Sequence, residues 1–372
     1  MITLHRIGST PIYALLAVLV APSFGAPPQR TLPVDPVELI AGREVPGQAE
    51  LAVERDGIEY RFATEVNKSL FEKDPARYEV ADGGACGRMG ALSGMGDARR
   101  YAVHDGRIFF FASDGCRTGF LKDPAAYIEH DDDKVFGSND QVLRGRAALD
   151  RMVQWAGGAE RIRAVTTYRA ALARTEKHGD MEYAVARETV IAFPDRYFQK
   201  ESWNESWFST LLGPDGAAMA SGSGAERIAA SRGRAFQRSM SRWPIVVLKA
   251  HADGSPRADC PGLIVIGEGE GVLGETPVEY IRVWLNGAAM RLTIDRSSGK
   301  PLQLAYRGRD GTMKVGESVR TFTAWSTIDG VTLPTAYTVN FDGKESPQSS
   351  WSIDAFEINP TLPADRFVMP EL

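Results

Sequence analysis

Residues 181–203 read MEYAVARETVIAFPDRYFQKESW, two runs rich in β-branched and aromatic residues that meet at Phe193-Pro194-Asp195-Arg196. Pro-Asp favours a turn and proline cannot serve a central ladder, so the stretch predicts two strands, Met181–Phe193 and Arg196–Trp203. The pattern continues outward. Tyr168–Thr175 precedes it across Lys177-His-Gly179, and Trp207–Leu212 follows it, closed by Gly213-Pro-Asp-Gly216. Residues 224–249 read as helical, with Ile228, Phe236, Met240 and Trp243 before a break at Pro244. Strand patterns then resume at Pro277–Leu285, Ala289–Asp295, Pro301–Tyr306, Lys314–Trp325, Val331–Phe341 and Trp351–Glu357. Strands spaced so regularly, with Asp-Gly and Asn-Gly pairs between them, predict one large, strongly curved antiparallel sheet with a few helices, an α+β chain.

Before the sheet, Ala147–Trp155 places Leu149, Met152, Val153 and Trp155 on one helical face, and Gly157-Gly158 ends the helix. A short helical stretch, Ala159–Ile162, leads to Val165. Residues 131–144, with Asp131-Asp132-Asp133, Gly137, Ser138 and Asn139, have the composition of a linker. The sheet domain is therefore expected over 145–372.

A different unit occupies residues 34–130, and it is duplicated. Asp56-Gly57, Phe62-Ala63, Phe71, Lys73-Asp74-Pro75-Ala76 and Tyr78 return 49 positions later as Asp105-Gly106, Phe111-Ala112, Phe120, Lys122-Asp123-Pro124-Ala125 and Tyr127. Ten identities in register mark a true repeat. Each copy predicts a hairpin turn at Asp-Gly, an aromatic strand, a short amphipathic helix carrying Phe71 or Phe120, and a stop at Asp-Pro. Residues 83–96 hold six glycines with no Lys-Ser/Thr after them, so they read as a flexible boundary between copies rather than a phosphate loop.

The chain opens with His5 and Arg6, an apolar run over Ile12–Val20 and small residues Ser23 and Gly25, the form of a secretory signal over residues 1–25. Residues 26–33 read as a disordered lead-in. Removing the signal takes away one arginine and moves the formal charge from −5 to −6, which argues against a nucleic-acid partner. No later apolar run approaches the ~20 residues of a membrane span. The expected location is periplasmic or secreted.

Of Cys86, Cys116 and Cys260, an oxidising compartment allows one disulfide within the chain. Cys86 and Cys116 have two readings: a disulfide, which would stabilise the unit by roughly 3–4 kcal/mol, or a copper or zinc site completed by Met89, Met95 or His104. The compartment favours the disulfide. His130 beside Asp131–Asp133 lacks the spacing of a calcium loop and reads as a solvated linker; Cys260 reads as an ordinary loop residue. No nucleophile turn or metalloprotease spacing is present, so the expectation is a non-enzyme, with a catalyst of unrecognised site as an alternative. Trp203, Trp207, Trp243, Trp284, Trp325 and Trp351 read as core that could also border a pocket.

The repeated unit resembles the YHS family, small modules related to the cysteine-rich TRASH modules and found with heavy-metal proteins. Asp35-Pro36-Val37-Glu38 and Phe62 to Asn67 match the family's pattern in the first copy without its cysteines, while Cys86-Gly87-Arg88-Met89 and Phe111 to Cys116 keep two of them in the second. From Ala147 onward the chain resembles the LolA-like, outer-membrane lipoprotein-sorting carriers, through Gly157-Gly158, the Phe193-Pro194-Asp195-Arg196 corner, Thr293-Ile294-Asp295, Gly299-Lys300-Pro301, Asp329-Gly330-Val331 and Asn359. That resemblance implies an open half-barrel with helices over its concave face, sheltering a lipid or other apolar ligand in a preformed cavity, and an envelope protein as partner. The first implies metal binding or metal response.

Overall fold

The computed structural model describes residues 30–129, 133–178, 181–222, 224–254, 262–346 and 350–369. The signal segment 1–25, His130, Asp131, Asp132 and Cys260 lie outside the described residues; Asp133 is exposed.

The first copy of the repeat comprises β1 (Thr31–Leu32), α1 (Pro36–Ile40), β2 (Gln48–Arg55), β3 (Ile58–Phe62), α2 (Glu65–Lys73) and α3 (Pro75–Tyr78). The second comprises β4 (Asp97–His104), β5 (Arg107–Phe111), α4 (Asp114–Lys122) and a closing 3-10 turn, Pro124–Ala126. Both hairpins reverse on Asp-Gly pairs with positive φ, 53° and 73° at Asp56-Gly57 and 52° and 68° at Asp105-Gly106. Primed turns need this left-handed geometry to follow the strand twist. The aromatic residues repeat in space as well. Phe71 packs on Tyr60 and Phe62 at 4.7 and 5.2 Å, and Phe120 on Phe109 and Phe111 at 5.0 and 5.1 Å. Side chains alternate along β5, so Ile108 and Phe110 enter the core of the first copy while Phe109 and Phe111 build that of the second. The two copies share a wall.

Two expectations change here. Thr31–Leu32, placed by the sequence in a disordered lead-in, pair in parallel with β3, and Leu32 is fully buried. The glycine-rich segment is an ordered, buried loop: Ala85 bridges Met95 and Cys86 runs beside Phe110. Its glycines permit close approach, since a Cβ at Gly87 would meet the Phe109 side chain at 3.0 Å.

The second domain begins with α5 (Asn139–Trp155) and α6 (Ala159–Ala164). Ser138 and Gln141 form a reciprocal capping box, which starts the helix inside the expected linker. A continuous antiparallel sheet follows: β6 (Thr167–His178), β7 (Met181–Ala192), β8 (Arg196–Trp203), β9 (Ser206–Gly213), β10 (Gly216–Ser221) and β11 (Gly224–Ile228). The corner between β7 and β8 contains a cis Phe193-Pro194 bond, with Ile191 opposite Tyr197. Helices α7 (Ala230–Ser241) and α8 (Pro244–Asp253) then cross over, and β12 (Ile264–Leu273), β13 (Thr276–Leu285), β14 (Ala288–Asp295), β15 (Pro301–Arg309), β16 (Val315–Ile328), β17 (Val331–Phe341), β18 (Lys344–Glu345) and β19 (Trp351–Ile358) complete it. Strand order is β11-β10-β9-β8-β7-β6-β19-β17-β16-β15-β14-β13-β12. The first and last strands of this order do not pair with each other, so the barrel stays open. This is the α+β half-barrel expected, except that 224–228 is an edge strand paired with β10 rather than the start of a helix. Gly222 and Gly224 flank the hairpin turn that separates the two.

The core lies on the concave face. Ile245, Val246, Val247 and Leu248 of α8 are buried there with Tyr168, Ile191 and Val339, and α5 closes on β12, where a Cβ at Gly145 would lie 2.7 Å from the Ile266 backbone. Trp351 is buried in this core and Trp203, Trp243 and Trp325 pack partly exposed against it, while Trp284 is buried in a separate cluster with Val135 and Ile266. Among the described residues no helix is long and apolar enough to cross a membrane.

Candidate functional site

Cys86 and Cys116 come together. Cys86 is buried beside β5, and Cys116 stands half-buried in the first turn of α4, where its N–H donates to the N-cap Ser113 Oγ at 3.1 Å. The two free thiols share a cluster with Phe109 and Met89 and each shifts the titration of the other. The Cys86 contact pulls the Cys116 thiol down to about 5, against desolvation, with help from the Ser113 hydroxyl and the Arg88 guanidinium. Cys86 is pushed up by that same contact and by burial. In the first copy Asn67 stands 49 positions before Cys116: its Nδ2 donates to Glu38 Oε1 at 3.2 Å and to Asp35 Oδ2 at 2.8 Å. Of the expected extra metal donors, the Met95 sulfur accepts from Arg232 at 3.3 Å, and His104 stands edge-on to Phe120 at 6.2 Å. Among the described residues no three His, Cys, Asp or Glu side chains gather, and Arg88 sets a fixed cation against the pair.

The second site is the concave chamber. Inward positions of β7, β8 and β9 carry Thr189, Gln199 and Thr210 in register. Next to this stripe Arg187 Nε donates to Glu201 at 2.8 Å, Arg174 approaches Glu201 at 3.7 Å, and both guanidiniums lie over Trp351, at 4.1 and 4.2 Å. Further round, Arg320 of β16 lies over Tyr306 at 4.8 Å and Tyr337 at 5.0 Å, and Arg242 over the same Tyr306 at 4.4 Å. Burial pushes the Tyr306 phenol up, but Arg320 and Arg242 outweigh it and hold it below its ordinary value. The positive field here is strong. Between α8 and the sheet a cavity of about 20 Å³ is lined by Arg320 together with Trp243, Ile245, Phe322, Leu333 and Ile353. At this cavity α8 presents four consecutive buried aliphatic side chains to the concavity. A larger depression, about 490 Å³ and open to solvent, crosses the sheet among Arg282, Arg291, Arg307, Glu317 and Asp342; charge lines it.

The sequence reading passed over these chamber residues. A signal was present: Arg187 and Arg320 interrupt the inward-facing alternation, at Val185-x-Arg187-x-Thr189 and Ser318-x-Arg320-x-Phe322, where an apolar residue is the rule.

No known family matches the chain, and no curated protein is similar to it. Among solved structures it is similar to a DUF1329 family protein from Desulfovibrio piger, with 13% identity over 61% of this chain and 97% of that one and a TM-score of 0.36. It is also similar to an outer membrane lipoprotein-sorting protein domain from Vibrio parahaemolyticus, with 9% identity over 61% and 97% and a TM-score of 0.38. A LolA superfamily protein from Nitrosomonas europaea gives 10% identity over 60% and 96% and a TM-score of 0.37. None of these matches assigns a ligand to this chain, and the likeness of residues 34–130 to YHS modules rests on the quoted residues alone.

Proposed function

We propose that the protein is an exported, non-catalytic carrier that shelters an apolar or lipid ligand on the concave face of its half-barrel. The observation that carries this reading is α8, a ten-residue helix whose buried Ile245, Val246, Val247 and Leu248 occupy the concavity of an open sheet. A cavity of about 20 Å³ admits a water and no acyl chain, so the ligand takes the place of α8. The energies are comparable. Four buried aliphatic side chains contribute roughly 6–12 kcal/mol, and a 16-carbon chain, at about 0.8 kcal/mol per methylene, offers about the same. Native mass spectrometry of protein purified from the periplasm should find a co-purifying lipid, and the delipidated chain should bind a fluorescent acyl probe; a chain with neither bound mass nor probe response would sink the reading.

For the repeat we favour a structural disulfide between Cys86 and Cys116, supported by their place in one side-chain cluster, over a copper or zinc site, which Arg88 opposes. Thiol titration with metal analysis separates them: two blocked thiols and no metal are expected, whereas two free thiols with bound copper or zinc would reverse the assignment.

A further inference from the structure

We propose that the chamber receives the acidic head of an amphiphile, a carboxylate or phosphate, and that Arg320 is the residue that holds it. This rests on the carrier reading and names its ligand class. Arg320 occupies an inward position of β16, opposite Leu304 and Val339. Among the described residues no carboxylate lies within ion-pair distance of it; its neighbours are the faces of Tyr306 and Tyr337 at 4.8 and 5.0 Å. The phenols of Tyr306 and Tyr337 offset the burial of this guanidinium, but they are not the carboxylate or phosphate with which its fork forms a bidentate pair. Nearby, Arg174 and Arg187 share the single carboxylate of Glu201. The phenols of Tyr306 and Tyr337 both feel Arg320.

A second observation also points to a ligand. Thr189 and Thr210, 0% and 4% exposed, direct their Oγ1 hydroxyls onto the same concave face without a hydrogen-bond partner among the described residues. Buried hydroxyls are normally paired. A guanidinium fork fits a carboxylate or phosphate with two parallel hydrogen bonds, and the cavity that Arg320 borders is otherwise lined by apolar side chains, among them Trp243, Ile245 and Phe322. A charged head at Arg320 therefore leads its tail directly into the space α8 fills.

The test is calorimetric titration of the delipidated full chain with dodecyl phosphate, dodecanoate, dodecanol and inorganic phosphate. The two anionic amphiphiles should bind at least about tenfold more tightly than dodecanol, and inorganic phosphate should show no binding at the same concentrations. In Arg320→Met the anionic amphiphiles should fall to the level of dodecanol, whose own affinity stays unchanged, while Arg320→Lys recovers part of the difference. Equal affinities for dodecyl phosphate and dodecanol in the natural chain overturn the proposal and leave the carrier reading standing. Failure of all three amphiphiles overturns both. Inorganic phosphate binding as tightly as dodecyl phosphate would make this a free-anion site and overturn the amphiphile. Should Arg320→Met not fold, the ratio measured on the natural chain still decides.

Discussion

Arg232 of α7 is the side chain on which the repeat and the barrel meet. It is fully buried; Nε donates to the Ala91 carbonyl at 2.9 Å, the guanidinium also reaches the Ser93 carbonyl, and Glu226 stands 3.5 Å away. Arg232→Met would orphan two buried carbonyls and leave Glu226 to Arg30 at 2.9 Å, and should cost about 2–4 kcal/mol in urea unfolding. A loss below about 1 kcal/mol would show the contact to be incidental. Nothing local marks this arginine: Ser231-Arg232-Gly233-Arg234 reads as a polar helical run, and the partner that buries Arg232 is a loop some 140 positions earlier. The thiols were legible as residues but not as chemistry. In the reduced protein Cys116 should alkylate with a midpoint near pH 5, and because its first cause is the Cys86 contact, Cys86→Ala should raise that midpoint toward the ordinary thiol range. An unmoved midpoint would assign the effect to Arg88 and the helix terminus instead.

The elements of the repeat were readable because each is specified locally. Asp-Gly sets the hairpin, Thr64 or Ser113 caps the helix, and one phenylalanine closes on two strand aromatics. The equivalence predicts equal costs: Phe71→Ala and Phe120→Ala should each destabilise by about 3–5 kcal/mol, and a difference above about 2 kcal/mol between them would show the copies to be packed unequally. Residues 224–249 were misread because a five-residue strand and a helix meet without a proline between them, and pairing with β10 decides the matter. For α8 the prediction runs in two directions. Leu248→Ala should lower stability by about 2–5 kcal/mol yet tighten acyl-probe binding, since a ligand that replaces α8 has less packing to displace. Weaker probe binding in this variant would place the ligand elsewhere.

Across the whole molecule Glu129 couples the two halves. It ends the repeat and faces Arg309, Arg242 and Arg238 of the barrel at 3.3, 3.6 and 3.8 Å, while Arg309 also donates to the Tyr127 carbonyl at 2.8 Å. Glu129→Gln removes the carboxylate that these three guanidiniums share and should cost about 2–4 kcal/mol, and thermal unfolding should separate into a repeat and a barrel transition. A single transition at unchanged temperature would mean that the interface stands on other contacts. Arg242 stacks on Tyr306 as well, so the same ion cluster reaches the chamber wall.

The sequence by itself determined the duplication, the strand-rich second half and the curved sheet, because turn chemistry, aromatic spacing and alternation act over a few residues. Tertiary structure alone decided that the glycine-rich loop is an interface, that α8 fills the concavity, and that Arg174, Arg187 and Arg320 crowd one chamber. Arg174 and Arg187 lie on the neighbouring strands β6 and β7 but Arg320 on β16, far along the chain, and they meet only once the sheet has curved to bring their inward faces together.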